Sequence, residues 1–245
     1  MLLAIDIGNS YIKCAVFEEN TLLKKYIFKE TEAQINFEKI LKKFKKIENG
    51  VISSVANLNE STYKYLKEKL HLTEISNKSS FPFKNNYKSK ETLGIDRLVL
   101  SAGAVLSFKN KNCLIIDAGT CITYDFVDSK NTYQGGAISP GLSLRYKSLN
   151  NYTAKLPLLE NKEIDFLIGK STPDSIYSGV INGVINEING FITQYKELNK
   201  DLTIILTGGD AEFLAKSIKN PIFANSNFLL ESLNKIYTYC KNKND

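Results

Sequence analysis

The sequence has no tryptophan, one methionine and one histidine, and of its 32 basic residues only Arg97 and Arg145 are arginines. Each scarcity removes a class of explanation. With His71 as the sole imidazole, triads that use histidine as the base and metal sites with two or three histidines are hard to build. Acid–base chemistry then falls to Asp, Glu, Lys, Tyr or Cys. The four cysteines, Cys14, Cys113, Cys121 and Cys240, include no C-x-x-C pair. Three lie in apolar strand-like runs and read as buried reduced thiols, which points to the cytosol and away from zinc. No run of about 18 apolar residues occurs. The start MLLAIDIGNS has no basic leader and is interrupted by Asp6, so neither a signal peptide nor a membrane span is expected. The lysines are spread out, as in KKFKK and KYLKEKL. Without a dense arginine cluster or an aromatic-interleaved basic motif, nucleic acid is not an expected partner.

What remains is an ordinary globular composition: 245 residues, 43% apolar and 24% charged. That length suits one large domain or two small ones, with roughly three-quarters of the unfolded surface buried. The net charge of +6 suits an anionic small molecule.

The chain opens with strand-like alternation in LLAIDIG, YIKCAVF and LLKKYIF, joined by short polar connections that predict an antiparallel meander. Helical patterns follow at about 33–46 and 60–70, around a short strand GVISSV. His71 reads as an exposed helix-end residue. The polar stretch 77–92 reads as a long loop, a common place for function. After the charged break FKNKNC the opening returns: CLIIDAGTCITYDFVD and TYQGGAI again read as strand, turn, strand, strand. Asp6-Ile7-Gly8-Asn9 answers Asp117-Ala118-Gly119-Thr120, which predicts an internal repeat. A long helical pattern at about 173–197, a strand LTIILTGG, a helix from Asp210 and a last helix at about 228–241 complete the second half. Two such halves are expected to face each other across a cleft.

Each Asp-x-Gly stands where an apolar strand turns into its neighbour. The glycine lets backbone N–H groups approach an anion, and the carboxylate can hold a cation or a metal-bound water. One copy is an ordinary hairpin turn; two copies, one per half, suggest a clamp for a polyphosphate and its counter-cation. Asn9, Ser10 and Thr120 add donors, and Lys13 adds a positive charge. IGKST, 168–172, ends like a phosphate-binding Walker loop, but Ile164 stands where that motif needs glycine. LTGGDAEF offers either a ligand-contacting strand–helix junction or a simple turn, and QGGAISPGL either a substrate loop or a rigid connector. In LGIDRL, Arg97 falls in the first turn of a predicted helix beginning after Gly94, where a cation is disfavoured. Either a nearby acid pairs with it on the surface, or a bound anion offsets it.

Taken together, DIGNS, LGIDR, DAGT, GGAISPGL and LTGGDA occur in the order and spacing of type III pantothenate kinases, and the chain resembles that family over its whole length. The resemblance places it in the acetate/sugar kinase, Hsp70 and actin superfamily. It implies an α/β fold of two ribonuclease H-like, actin-like halves (1–110 and 111–245), each a mixed sheet with helices, around a central cleft. It implies ATP-dependent phosphorylation of pantothenate, the first step of coenzyme A biosynthesis. By the same resemblance Asp6, Ile7, Gly8, Asn9, Ser10, Tyr11, Ile12 and Lys13 form the first ATP phosphate loop, and Thr120 is a further ATP contact. Asp96 is the acid that accepts the hydroxyl proton. Tyr87, Gly94, Ile95, Asp96, Arg97 and Thr172 contact substrate, and Asp117 binds a monovalent cation, potassium or ammonium. Mg2+ accompanies ATP, and a cytoplasmic homodimer is implied. The stretch YKSKETLG lacks the family's frequent proline, which would loosen that loop, and Cys121 replaces a small residue and reads as packing. Under this reading Arg97 pairs with the substrate carboxylate through two parallel hydrogen bonds. Alternatives are a non-catalytic nucleotide-binding regulator of the same fold, or a kinase or phosphatase acting on a sugar or polyphosphate.

Overall fold

The computed structural model describes residues 1–8, 11–53, 58–199 and 201–244. Internal contacts divide the chain into two units, Met1–Ser107 with Asn227–Asp245, and Phe108–Ser226.

The first unit is built on strands β1 (Leu2–Ile7), β2 (Ile12–Glu18), β3 (Thr21–Phe28), β4 (Asn49–Ser53) and β5 (His71–Ile75), in the order β3-β2-β1-β4-β5. The first three form the expected antiparallel meander, and β4 and β5 add in parallel after crossovers through α1 (Ala33–Lys43) and α2 (Glu60–Lys69). Every residue of β1 is buried, as befits a central strand covered on both faces. Leu3, Ile5 and Ile7 share one face with Ile12, Cys14 and Val16 and pack on Phe37, Ile40 and Leu66. Leu2 and Ala4, with Ala15 and Phe17, face the other way. They meet Val99 and Ala102 of α3 (Ile95–Ser107) and Leu230, Leu233 and Ile236 of the C-terminal helix Phe228–Asn244. The polar stretch 77–92 is mostly irregular, with a two-residue strand β6 (Lys84–Asn85) and a single 3-10 turn at Lys90–Thr92. Asn77 ties it down by donating to the carbonyls of Lys90, Glu91 and Leu93 at 3.0, 3.1 and 3.2 Å.

In the second unit, β7 (Asn112–Ala118), β8 (Cys121–Val127), β9 (Thr132–Pro140), β10 (Leu202–Thr207) and β11 (Phe223–Ala224) run in the order β9-β8-β7-β10-β11. Order and direction match the first sheet strand for strand, so the repeated Asp-x-Gly turns belong to a repeated topology. Its helices are α4 (Leu142–Asn151), α5 (Thr172–Tyr177), α6 (Gly183–Leu198) and α7 (Ala211–Ala215). Leu114, Ile116, Ile122, Tyr124 and Leu206 pack against Val184, Ile188 and Ile192, and the Tyr124 and Phe191 rings stack with centroids 4.1 Å apart.

Several elements differ from the sequence reading. The single helix expected at 173–197 is interrupted by a wide π turn at Ser178–Asn182, while burial of Ile176, Val180, Ile181 and Val184 continues through it and keeps the helical period. Helix α4 was not expected: only Leu142 and Tyr146 of its ten residues are buried, too few to mark a face. His71 opens a strand instead of ending a helix, and it is exposed. Cys121 is exposed and Cys240 half-buried, while Cys14 and Cys113 are buried; burial pushes both of those thiols up, Cys113 to about 12. The C-terminal helix, expected to close the second half, packs in the first unit, because Leu230, Leu233 and Ile236 cover a sheet face that α3 leaves open. Among the described residues, no helix is long and apolar enough to cross a membrane.

Helix α3 meets the C-terminal helix at Gly103, where an added Cβ would stand 1.8 Å from Ser232 Oγ and 2.5 Å from Ser232 Cβ. Gly103→Ala is expected to cost about 1–3 kcal/mol through this overlap, despite alanine's better helix propensity. Urea unfolding midpoints at a constant m-value check it; an unchanged or raised midpoint contradicts the close packing.

Candidate active site

The first site is set by the end of β1. Register places Asp6 directly between Lys13 on β2 and Ser53 on β4, so the three side chains leave one sheet face in a row. Ser53 Oγ donates to Asp6 Oδ1 at 3.0 Å, and both residues are buried. Burial is the largest influence on Asp6 and pushes its carboxyl up to about 6; the Ser53 hydrogen bond and the Lys13 charge oppose the rise, and the Asp96 charge adds to it. Asp96, distant in sequence, is therefore an electrostatic neighbour of Asp6. Gly8 N–H donates to Tyr11 O at 3.1 Å and closes the turn. Ile7 and Ile12 bury their side chains in the core, which leaves only their backbone groups for a ligand. Tyr11 is exposed and Lys13 half-buried. Asn9 and Ser10 lie outside the described residues.

The start of α3 carries the second group. Asp96 is exposed, and its Oδ1 accepts the Arg97 N–H at 2.9 Å. A Cβ on Gly94 would stand 2.4 Å from that oxygen, so glycine is what lets the carboxylate fold back over the helix start. Ile95 is half-buried. Arg97 is only 4% exposed, so it is not a surface residue. Its guanidinium lies 5.5 Å from the centre of the Tyr87 ring, within cation–π range. Tyr87 is held in turn by its N–H, which donates to Asn85 Oδ1 at 2.9 Å.

In the second unit the end of β7 repeats the pattern. Asp117 sits in register between Thr123 on β8 and Thr207 on β10. Three glycine-bearing motifs converge here. Gly119 N–H donates to Cys121 O at 3.0 Å and closes the DAGT turn, leaving Thr120 exposed. In LTGGDA, Gly208 has a φ of 99°, and a Cβ there would lie 2.2 Å from Ala118 O and 2.5 Å from Asp117 Oδ1. Asp210 N–H donates to Ala118 O at 2.9 Å. In GGAISPGL, Gly141 N–H donates to Thr120 O at 3.0 Å, and its Cβ would lie 2.0 Å from Gly119 O. Both motifs thus pack directly on the DAGT turn. Thr172 is exposed at the start of α5, after the N-cap Ser171. It lines a cavity of about 620 Å3 with Arg145, Ser148, Leu149, Leu156 and Ile176. The neighbours Ser53, Thr123 and Thr207 were not singled out from the sequence, because only strand register brings them beside the two aspartates.

A repeated five-strand unit with a carboxylate at the end of each central strand, and glycine turns beside it, is an actin-like fold of the kind that sugar kinases share. A ROK family glucokinase from Streptomyces griseus in complex with glucose and AMPPNP shares it at a TM-score of 0.54 and 11% identity, over 96% of this chain and 98% of that one. A Campylobacter jejuni protein assigned to the Baf family of transcriptional activators shares it at 0.62 and 23% identity, over 98% and 99%. The chain belongs to the type III pantothenate kinase family, whose model matches residues 2–194. Type III pantothenate kinases of Flavobacterium psychrophilum, Flavobacterium johnsoniae and Christiangramia forsetii are 54%, 51% and 49% identical to it, over 98% of this chain and 100%, 98% and 99% of theirs.

Because the folded carboxyl of Asp6 sits near 6, above its ordinary 3.8, the folded chain holds that proton more tightly than the unfolded chain. The ionised form therefore works against folding, fully above about pH 6 and not at all below about pH 4. Asp6→Asn is expected to stabilise the ligand-free protein at neutral pH by up to about 3 kcal/mol, the gain shrinking as pH falls through that window. Denaturant titrations of both proteins across the pH range check this; a gain independent of pH contradicts the burial argument.

Proposed function

We propose that the protein transfers the γ-phosphoryl group of ATP to the primary hydroxyl of pantothenate, with Asp96 accepting the hydroxyl proton. The new bond joins the pantothenate oxygen to the γ-phosphorus, the bond to the β–γ bridging oxygen breaks, and ADP leaves. Such a transfer needs the reactants in line and charge offset on the moving group, more than covalent help from protein. The observation that carries the assignment is the grouping of Asp6, Asp96, Arg97 and Tyr87. One carboxylate, at the phosphate turn, feels the charge of another at a helix start, and beside the second a buried guanidinium is packed on an aromatic ring. On this reading the Asp6–Lys13 turn receives phosphates, Arg97 pairs with the pantothenate carboxylate, and Gly94, Ile95 and Tyr87 shape the acceptor's seat. Thr120 contacts ATP and Thr172 contacts pantothenate.

Asp117 is our candidate for the monovalent cation, K+ or NH4+. A single carboxylate beside two threonines in register presents one negative charge among neutral oxygens, and Thr123 Oγ1 is buried without a hydrogen-bond partner. Carboxylate and hydroxyl oxygens are hard donors that suit a hard cation, and a single carboxylate matches one positive charge. Bound there, such an ion supplies fixed positive charge near the phosphates. Mg2+ enters with ATP. A homodimer in the cytoplasm completes the reading: six large apolar side chains between Ile138 and Ile168 are exposed, among them Tyr152, Leu167 and Ile168, and a second copy of this chain would cover them.

Adding pantothenate to the protein and ATP is expected to release ADP; no release would favour a nucleotide-binding regulator. Asp96→Asn is expected to lower kcat by about 10²–10⁴-fold while ATP binding persists. Turnover equal to the wild type would overturn the role of Asp96. Replacing potassium by sodium is expected to lower turnover in the wild type and to leave the residual rate of Asp117→Asn unchanged; equal rates in the two salts overturn the cation assignment.

A further inference from the structure

The second of the two arginines has no part in the reading above, yet its guanidinium is fixed from two sides. Arg145 Nε donates to Pro140 O at 2.8 Å, and Nη2 donates to Glu187 Oε2 on α6 at 2.5 Å. Glu187 collects two further donors on Oε1, Tyr124 OH of β8 at 2.9 Å and Ser139 Oγ of β9 at 2.5 Å. About three-quarters of each side chain is buried, at 23% and 24% exposure. Burial raises the Glu187 carboxyl, but the donors Ser139, Arg145 and Tyr124 outweigh it and hold the group below its ordinary value.

Ser139, Pro140 and Gly141 are consecutive, so the two charged residues grip one short segment from its first two residues. Its third residue, Gly141, is wedged on the DAGT turn, with its N–H bonded to Thr120 O and its α-carbon against Gly119 O. We propose that Arg145 and Glu187 are positioning residues that set the Gly119–Thr120 turn for nucleotide phosphates, acting through the Ser139–Gly141 segment. The proposal rests on the reading of Thr120 as an ATP contact. It also gives a reason for an arginine in a chain that otherwise uses lysine. A planar guanidinium offers two donors at a fixed divergence, one for a carbonyl and one for a carboxylate, whereas an ammonium is a single point charge on a flexible stem.

Two other roles make different predictions. If the pair merely stabilised α4 against α6, its loss would lower the melting temperature and leave the affinity of the folded protein for nucleotide alone. If Arg145 touched pantothenate from the cavity it shares with Thr172, its loss would fall on the KM for pantothenate.

The test compares full-length wild type with Arg145→Lys, Glu187→Gln and the milder Ser139→Ala. AMPPNP affinity is measured by calorimetry without acceptor, KM is measured for both substrates, and hydrogen exchange is followed at the Gly141 amide. Arg145→Lys and Glu187→Gln are expected to weaken nucleotide binding about tenfold or more. The KM for pantothenate is expected to stay within about twofold, and Gly141 to exchange faster, with Ser139→Ala intermediate. Unchanged nucleotide affinity in the folded variants, or a loss confined to the KM for pantothenate, overturns the proposal while the ATP reading stands. A wild type that binds no nucleotide overturns both. Should the two charge variants fail to fold, wild-type affinity and exchange in Ser139→Ala overturn the proposal.

Discussion

A carboxylate kept almost out of water is the constraint around which the first unit is arranged. Asp6 lies between Lys13 and Ser53 on a sheet whose central strand is fully buried. Desolvation dominates its protonation, and a hydroxyl and an ammonium recover only part of that loss. An acid in that position resists simple water solvation and gains from a ligand that brings compensating charge or donors. Asp96 sharpens the tension, since its charge raises the Asp6 carboxyl further. Gly94 is what admits Asp96 to its place, because any larger residue would collide with the folded-back carboxylate.

The repeated topology permits a residue-by-residue comparison of the two strand ends. β7 takes the place of β1, β8 of β2 and β10 of β4, so the row Lys13–Asp6–Ser53 corresponds to Thr123–Asp117–Thr207. Hydroxyl answers hydroxyl, and aspartate answers aspartate. The difference is confined to one position, where threonine replaces lysine. Charge compensation at Asp117 therefore cannot come from its own row of the sheet, which separates the two turns chemically although their backbones follow one plan. The second turn is packed directly by the backbone of Gly208 and Gly141.

The meander, both Asp-x-Gly turns and the entry of α3 were legible because each is local. Alternation of apolar residues, glycine after aspartate and helical spacing after Gly94 are all read within a dozen residues. Ser53, Thr123 and Thr207 were not, since nothing near them in sequence says which residue they will lie beside; strand register decides that. Helix α4 escaped notice because its buried face amounts to Leu142 and Tyr146, and the π turn because burial carries on across it. Arg97 was expected either at the surface or against an anion, and its burial against Tyr87 follows from the conformation of the 77–92 loop, whose two ends Asn77 ties together by bonds to the carbonyls of Lys90, Glu91 and Leu93.

The return of the C-terminal helix to the first unit also orders events on the ribosome. The second unit is a continuous stretch, Phe108–Ser226, and all of it is synthesised before Asn227. The first unit must wait, with one face of its sheet missing Leu230, Leu233 and Ile236, until the final helix emerges. During that interval the apolar residues Leu2, Ala4, Ala15 and Phe17 lack that cover. Vectorial synthesis thus leaves the earliest-made half of the molecule as the last to be finished, and places its aggregation hazard in a window set by translation of the inserted half.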